Sequence, residues 1–382
     1  MGTTGAWTSV FVTGYRIAFL CGLSQECWSP LSVNTGIGGS QEALIAMAAA
    51  FERLGHSVRV YNSCGSAAGQ YEGVVYQDYR AFGREPSADL VVVWRWPWLE
   101  SSLPPRVPSV LWLEDMIEPQ AVAAAAHRYR KIVVLSRFHR QHYSALPDEK
   151  FFFSRNGLHP EQFDQTVERD PYKVVYGSSY DRGLLPLLEA WPRVKAQVPQ
   201  ASLTVFYGFQ AARARAFQLI GAPSRSYRKH NPIAYWMYRR SMLANMRRVN
   251  AQHLGRIGHR EVARQFLSAG IWAYPTHFPE TSCITAMKAQ AAGAVPVVIP
   301  SGAVDETVQF GAKTSTNAND YPSRQLPRRV YEEWEALLIS NLKDPASLEP
   351  LRAPMAAAAR QWFAWETIAR EWSAEFNCIL SK

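Results

Sequence analysis

Residues 274–297 read YPTHFPETSCITAMKAQAAGAVPV, and this stretch decides the fold prediction. The apolar run Ile271–Tyr274 has the pattern of a short strand and leads into a loop that contains Glu280. A helix pattern rich in small residues follows, stops at Gly293, and gives way to a second apolar run from Val295. Small residues let a backbone approach a ligand, and an acid ahead of a helix N-terminus can bind sugar hydroxyls while the helix end faces a phosphate. The stretch therefore predicts a strand, loop, helix and strand that hold a ligand.

The same alternation of apolar runs and helix patterns extends through the rest of the chain. In the N-terminal half, strands are predicted at Tyr15–Cys21, Ser57–Asn62, Ala88–Trp94, Ser109–Leu113 and Lys131–Leu135. In the C-terminal half, they are predicted at Tyr172–Gly177, Ser202–Tyr207, His253–Ile257, Ile271–Tyr274 and Val295–Ile299. The runs are almost continuously apolar, as parallel strands buried on both faces are. This pattern predicts two doubly wound α/β domains, with a ligand site in the cleft between them, beyond the carboxyl ends of the strands.

The domain limits follow from a polar stretch, Asp164–Pro171, which has no apolar periodicity and ends in proline. We predict an N-terminal Rossmann-like domain at residues 1–165, a C-terminal Rossmann-like domain at 166–358, and a C-terminal helix at 359–382 that crosses back to the N-terminal domain. In that helix an aromatic stripe recurs at spacings of three and four, which we interpret as core packing: Trp362, Trp365, Ala369, Trp372 and Phe376.

Composition indicates a globular chain. Among 382 residues, 47% are hydrophobic and 19% are charged, which excludes a disordered protein. The five cysteines form no CxxC pair, which argues against a disulfide framework and against structural zinc. No apolar run approaches the ~18–20 residues of a membrane-spanning helix, and the first residues lack the basic start of a secretory signal. We therefore expect a cytoplasmic protein, with peripheral attachment to a membrane surface as an alternative.

The net charge of +9 is concentrated between Phe209 and Arg264, where twelve Arg or Lys residues face one acid, Glu261. A solvated helical face with arginine stems over apolar surface explains this segment as well as a functional role does. The functional alternatives are docking onto an anionic membrane surface or onto a phosphate-bearing substrate. Nucleic-acid binding has no motif behind it.

Two further loops have the composition of phosphate sites. The loop Asn34–Ser40 (NTGIGGS) follows the first strand and opens the first long helix, where backbone N–H groups are free to bind an anion. Its spacing is not GxGxxG, and Tyr61 and Asn62 end the second strand where an NAD-binding protein needs an acid. Dinucleotide binding is therefore not favoured, and a tight structural turn is the alternative.

The second loop, Tyr176–Gly183 (YGSSYDRG), closes the first strand of the C-terminal half. Arg182 can make forked hydrogen bonds to phosphate oxygens, so this loop suits a diphosphate. In the competing structural interpretation, Ser179 or Asp181 simply caps the helix that follows.

Taken together, these blocks resemble the retaining glycosyltransferases of the GT-B fold, and they are most similar to family 4. The resemblance covers nearly the whole chain and rests on Gly36–Gly39, on Asn156–Phe163 (NGLHPEQF), and on the Glu-x7-Glu region that starts at Glu280. It implies two Rossmann-like domains that face a central cleft. It also implies transfer of a hexose from a nucleoside-diphosphate sugar to a hydroxyl acceptor, with retention of configuration and with no metal or cofactor.

The resemblance also assigns roles to residues. Glu280 is expected to touch the hydroxyls of the transferred sugar, and Arg182 the donor phosphates. Other donor-binding positions follow from the same loops: Ser178, Ser179, Thr281, Ser282 and Cys283. Gly38 and Gly39 match the glycine loop that faces the diphosphate and the acceptor.

Three positions depart from the family pattern. Lys288 replaces the second Glu, often a ribose ligand, and cannot accept hydrogen bonds as a carboxylate does. It is still a candidate for substrate binding, through contacts to phosphate or to the 2′ and 3′ hydroxyls. Ser178 replaces an arginine, and Glu114 replaces a histidine. Glu114 and Asp115 are candidates for positioning the acceptor or for general base work. Capping of the helix that follows explains these two acids equally well.

Two other classes of function stay open. A sugar-nucleotide epimerase or hydrolase of the same architecture would turn over donor without an acceptor. A non-catalytic nucleotide-sugar or carbohydrate-binding protein would release donor unchanged, and Lys288 and Ser178 fit that class best. The sequence contains no DxD motif that would hold a metal ion on the donor.

Overall fold

The computed structural model describes residues 14–24, 26–83, 87–209, 232–321 and 325–381. The first eight strands are β1 Arg16–Leu20, β2 Ser57–Asn62, β3 Gly69–Tyr71, β4 Val74–Asp78, β5 Leu90–Trp94, β6 Ser109–Trp112, β7 Lys131–Val134 and β8 Phe151–Phe153. The next six are β9 Asp170–Tyr176, β10 Ser202–Phe206, β11 Gln252–Gly255, β12 Ala269–Tyr274, β13 Val295–Val298 and β14 Ala312–Lys313.

The helices lie between these strands and at the C-terminal end. They are α1 Gly39–Arg53, α2 Pro119–Ala125, α3 Arg137–Gln141, α4 Leu184–Gln197, α5 Pro232–Arg248, α6 His259–Leu267, α7 Ile284–Ala291, α8 Val304–Thr307, α9 Arg328–Lys343, α10 Glu349–Trp362 and α11 Trp365–Leu380. Among the described residues, no helix is long and apolar enough to cross a bilayer.

The strands form two sheets. The N-terminal sheet has the order β3-β4-β2-β1-β5-β6-β7-β8, and every neighbouring pair is parallel except β3 with β4. The C-terminal sheet is parallel and has the order β11-β10-β9-β12-β13-β14. In each sheet the strand order reverses once, between β1 and β5 and between β9 and β12. Ligands of open α/β sheets bind at such points, because the loops on either side diverge there and leave a crevice.

The fold class predicted from the sequence is confirmed, and each predicted strand lies within two residues of an observed one. Strands β3, β4, β8 and β14 were not predicted, because they are short and several of their residues are polar or exposed. The predicted linker is shorter than expected, since β9 already begins at Asp170. The domain limits at 165/166 and 358/359 stay predictions.

The C-terminal end crosses from one sheet layer to the other. Helix α10 packs on α7, whereas α11 packs on α1. The two helices meet at Phe363 and Ala364, where the backbone N–H of Leu158 donates to the carbonyl of Phe363 at 2.7 Å. The aromatic stripe is buried at four of the five predicted positions: Trp365, Ala369, Trp372 and Phe376. The prediction was wrong for Trp362, which ends α10, is 52% exposed and covers the guanidinium of Arg155 at 4.2 Å.

Candidate active site in the interdomain cleft

The predicted site residues come from loops at the carboxyl ends of strands. Residues 177–183 follow β9 and residues 275–283 follow β12, which are neighbours in the C-terminal sheet. The glycine loop follows β1, and Glu114 follows β6, both in the N-terminal sheet. The structure gathers these residues into three clusters.

The first cluster joins Arg182 to Glu280. The Arg182 Nη1 atom lies 3.0 Å from Oε1 and 3.1 Å from Oε2 of Glu280, and the hydroxyl of Tyr274 donates to Oε1 at 2.5 Å. The guanidinium carbon lies 3.8 Å from the centre of the Phe278 ring. Burial opposes the charge of Arg182, but Glu280 outweighs it and raises the pKa of the guanidinium. Arg182 Nε is buried and has no partner within the described part of the chain, so one strong donor is unused.

Gly183 lets the two loops of this cluster meet. Its φ of +108° lies in the left-handed region, and a Cβ there would lie 2.4 Å from the carbonyl oxygen of Pro275. Gly183 is also the N-cap residue of α4. The interpretation of Ser179 or Asp181 as helix cap was therefore wrong: the Ser179 hydroxyl donates to the Asp181 carboxylate instead.

Ser178 belongs to the same cluster through Tyr274. Its hydroxyl lies 3.2 Å from the Tyr274 hydroxyl, which in turn donates to Glu280. Burial, followed by the charge of Glu280, raises the pKa of Tyr274 well above its usual value, so this phenol stays a donor. Ser178, Tyr274 and Glu280 form a chain of buried hydrogen bonds that fixes the orientation of the carboxylate.

The second cluster surrounds Glu114, which is 6% exposed. Its Oε2 accepts from Nδ2 of Asn156 at 3.1 Å, and the backbone N–H of Asn156 donates to Ser282 Oγ at 3.1 Å. Thr281 Oγ1 donates to the carbonyl of Glu114 at 2.8 Å. The loop that carries Glu280 is thereby hydrogen-bonded directly to Glu114.

The carboxyl of Glu114 is short of partners. Within the described residues, its Oε1 and the Oδ1 of Asn156 are both buried without a hydrogen bond. Burial raises the pKa of Glu114 to about 8, and the hydrogen bond from Asn156 only partly opposes this. Glu114 therefore carries its proton at neutral pH. Helix capping does not explain this residue, because α2 begins at Pro119 and its N-cap residue is Glu118.

Asp115 is held by groups of the N-terminal domain. Its carboxylate accepts from Nε of Arg95 at 2.6 Å, and that guanidinium lies over the rings of Trp94 and Trp96 at 5.0 and 5.2 Å. The carbonyl of Asp115 lies 3.2 Å from Nε2 of the buried His139. Asp115 is thus already held in an ion pair and caps no helix.

The third cluster crosses the cleft. Lys288 Nζ lies 2.6 Å from Oε1 of Glu42, and His259 Nδ1 lies 3.1 Å from the same oxygen. Each of the three residues is 5% exposed. Burial would raise the pKa of Glu42, but the charges and hydrogen bonds of His259 and Lys288 lower it. Lys288, where the resemblance predicts a second Glu, is therefore paired with a carboxylate from α1 of the N-terminal domain.

The glycine loop packs against the C-terminal domain beside this third cluster. A Cβ on Gly36 would lie 2.6 Å from Cγ of Arg256, and one on Gly39 would lie 3.3 Å from Cδ1 of Ile284. Gly38 is the N-cap residue of α1, and the N-cap residue of α7 is the buried Cys283. The expectation that Gly38 and Gly39 face a diphosphate and an acceptor stays a prediction.

One cavity lies between the glycine loop and α7. It is lined on the N-terminal side by Gly36, Gly38, Gly39 and Glu42, and on the C-terminal side by Gly177, Tyr207, Arg256, Thr285 and Lys288. Gly177 opens the loop that carries Arg182, and Thr285 lies in the first turn of α7, after the loop that carries Glu280. Arg182, Glu280 and Glu114 do not belong to its lining within the described structure.

Sequence reasoning missed five residues of these clusters: Glu42, Asn156, His259, Tyr274 and Phe278. Tyr274 carries a usable signal, since it ends a buried strand at the reversal of strand order. Glu42 sits in the first turn of the helix that the glycine loop opens, so it faces the cleft. In the described ranges, His, Cys, Asp and Glu side chains form no group of three or more that could hold a metal ion.

Neither the profiles of known protein families nor the sequences of curated proteins match this chain. Solved structures do. Sucrose-phosphate synthase from Thermosynechococcus elongatus superimposes with a TM-score of 0.72 at 14% identity, over 96% of this chain and 99% of the other. Anabaena HepE in complex with UDP and glucose gives 0.67 at 13% identity, over 95% and 100%. The catalytic domain of starch synthase IV from Arabidopsis thaliana, bound to ADP and acarbose, gives 0.63 at 10% identity, over 97% and 100%. At these identities the likeness establishes the fold, which is the GT-B glycosyltransferase fold.

Proposed function

We propose that this protein is a retaining, family 4-like glycosyltransferase that moves a hexose from a nucleoside-diphosphate sugar to a hydroxyl acceptor. The observation that carries the proposal is the Arg182–Glu280 pair at the reversal of strand order in the C-terminal sheet. Among the described residues, the buried Nε of Arg182 has no partner and is left to bind a ligand. The solved structures that share the fold include one bound to UDP and glucose and one bound to ADP and acarbose.

In this proposal Arg182 stabilises the leaving group. Departure of a nucleoside diphosphate develops negative charge, and a fixed guanidinium together with the N-terminus of α7 stabilises that charge without reorganising. Glu280 neutralises Arg182 before the donor arrives, which offsets the cost of keeping a buried cation unpaired. The carboxylate then accepts from sugar hydroxyls, held in place by Tyr274.

The acceptor proton goes to the leaving phosphate on the same face of the sugar, which gives retention of configuration. Glu114 is protonated at neutral pH, so it donates a hydrogen bond to the reacting groups and works as a base only above pH 8. This differs from the general base role considered from the sequence. The proposal involves no metal ion and no cofactor, and for the metal it rests on the absence of a DxD motif from the sequence.

An anionic or membrane-bound acceptor is part of the proposal, and helix α5 supports it. Residues 210–231 of the basic segment lie outside the described residues, but α5 presents three exposed apolar side chains: Ile233 at 72%, Trp236 at 57% and Met237 at 68%. Three exposed arginines continue the same face: Arg240, Arg247 and Arg248. The helix contains no acid. Apolar side chains beside arginines suit the boundary of an anionic bilayer.

Vesicle flotation tests this part separately. Binding to vesicles with phosphatidylglycerol but not to pure phosphatidylcholine vesicles is expected, and Arg240→Gln with Arg247→Gln and Arg248→Gln is expected to abolish it. Equal flotation of the triple variant and the unaltered protein contradicts a membrane-bound acceptor and leaves the proposed chemistry standing.

A thermal-shift panel of nucleoside diphosphates and nucleotide sugars tests the proposed chemistry. A donor at a hundred times its dissociation constant should add about 2.7 kcal/mol of stability. Glu280→Gln should weaken the shift given by the nucleotide sugar. Glu335→Gln is the matched control, because Glu335 is also a buried acid paired with an arginine, Arg193, away from the cleft.

Product analysis then separates the alternatives. A glycosylated product that forms only with an acceptor supports the transferase. Turnover without an acceptor indicates an epimerase or hydrolase, and a donor recovered unchanged indicates a binding protein. A fully active Glu280→Gln variant contradicts the proposed site.

A further inference from the structure

A second pocket lies in the N-terminal domain, at the amino ends of the strands, whereas the cleft lies at their carboxyl ends. It is formed by residues 105–109, by residues 127–130 and by Lys150. These three segments immediately precede β6, β7 and β8, whereas the cleft loops follow the carboxyl ends of strands. Its volume of about 370 Å³ is within the range of small-molecule sites.

The lining of this pocket is cationic. It contains Arg106, Arg128, Arg130 and Lys150 together with His127, and within the described part of the chain it contains no Asp or Glu. Four acids are close to it in sequence or space: Glu149 is exposed, the charge of Glu100 acts on Tyr129, and the other two are engaged elsewhere. Glu375 lies 3.5 Å from Lys131, and Asp148 accepts from Arg140 at 2.6 Å.

Backbone contacts hold two of these cations in place. The ammonium of Lys150 donates to the carbonyl of Tyr129, and Nη2 of Arg128 donates to the carbonyl of Leu103 at 3.3 Å. Burial, followed by the charges of Arg130 and Lys131, lowers the pKa of Lys150. The positive charges therefore repel one another, and a bound anion would relieve that repulsion.

We propose that this pocket binds a phosphoryl group, as inorganic phosphate or as the head of a small phosphate monoester. Guanidinium groups match phosphate oxygens with forked hydrogen bonds, and an ammonium adds a point charge. Arg106 and Arg130 are exposed and reach the ligand from the rim, whereas Arg128 and Lys150 are partly buried. The site is separate from the cleft and does not depend on the proposed transferase activity.

Isothermal titration at constant ionic strength tests the proposal, with inorganic phosphate in one arm and a hexose 6-phosphate in the other. The unaltered protein should bind at least one of them. Arg106→Gln with Arg130→Gln should weaken binding by at least about ten-fold, because two charge-assisted contacts are lost. Tighter binding of the ester than of phosphate identifies an organic phosphate as the ligand, and the reverse identifies free phosphate.

Two controls separate this site from others. Arg59→Gln with Arg370→Gln removes the same charge from exposed positions elsewhere and should leave binding unchanged. Arg182→Gln alters the cleft and should also leave it unchanged. The proposal is wrong if neither ligand binds, if both double variants weaken binding equally, or if Arg182→Gln alone abolishes it.

Discussion

Glu42 and Glu114 lie on the same domain, face the same cleft and are almost equally buried, at 5% and 6% exposure. Their protons nevertheless behave in opposite ways. Two nitrogen groups, from Lys288 and His259, hold the pKa of Glu42 below its usual range. Burial dominates at Glu114 and raises its pKa to about 8, because the hydrogen bond from Asn156 and the charge of Arg95 oppose it only in part.

The comparison shows that burial alone does not determine the charge of a carboxyl group. At neutral pH, Glu42 is a permanent anion that ties α1 to α6 and α7 across the cleft. Glu114 is a neutral group that can still gain or lose its proton near physiological pH. Two such environments in one cleft allow one acid to hold the structure while the other takes part in proton transfer.

The largest expected effect comes from removing the cation beside Glu42. Lys288→Met leaves a buried carboxylate with only His259, and should lower the free energy of unfolding by about 3–5 kcal/mol. Urea unfolding at pH 7 measures this. The double variant Glu42→Gln with Lys288→Met should recover most of the loss, since no unpaired charge then remains. A double variant as unstable as the single one would show that packing, and not charge, makes the third cluster stable.

Converting Glu114 to a permanently neutral side chain should stabilise the protein at high pH, whereas Lys288→Met destabilises it. Between about pH 4.5 and 8 the folded protein keeps a proton on Glu114 that the unfolded chain releases, so stability falls as the pH rises through this window. Glu114→Gln lacks this slope, so between pH 5 and pH 9 it should gain roughly 4 kcal/mol of stability relative to the unaltered protein. Thermal unfolding from pH 5 to pH 9 measures the difference, and parallel pH profiles would contradict the raised pKa.

A smaller change is expected when the hydrogen-bond partner of Glu114, Asn156, is removed. Asn156→Leu removes the hydrogen bond that favours the charged carboxyl and should raise its pKa by about one unit, equivalent to about 1.4 kcal/mol. Carbon-13 NMR of the labelled Glu side chains follows the titration directly. A lower pKa in the variant would show that water replaces the amide.

The smallest effect is expected for an ion pair that is exposed to solvent, in contrast to the buried pair of Glu42 with Lys288. Arg53 and Glu366 join α1 to α11 at 2.5 Å, but their side chains are 40% and 35% exposed. A double-mutant cycle should give a coupling of about 0.2–1 kcal/mol, and salt should reduce it further. A coupling as large as that of Glu42 with Lys288 would mean that burial does not set the difference between the two pairs.

The sequence predicted the sheets because buried parallel strands leave continuous apolar runs, as in Leu90–Trp94 and Lys131–Val134. The family resemblance implied that Glu280 and Arg182 share a donor site, and the two side chains are in contact in the structure. It failed for Trp362, because spacing alone does not show that one helix ends and another begins within two residues.

The partners of the charged residues could not be predicted from the sequence. Glu42 and Lys288 are separated by 246 positions, and their contact depends on how the two domains face each other. Glu114 was found as a departure from a family pattern, but its proton could not be assigned until its burial and its single amide partner were known. Pairings between distant segments depend on tertiary structure, which a local pattern does not encode.

The return of the C-terminal helix has a consequence for synthesis on the ribosome. Helix α11 supplies Trp372 and Phe376 to the same core as Phe19 and Phe51, which belong to the first strand and first helix of the chain. The core of the N-terminal domain therefore stays incomplete until residues 365–380 have left the ribosome. The C-terminal sheet is translated in between, so the domain that is made first is completed last.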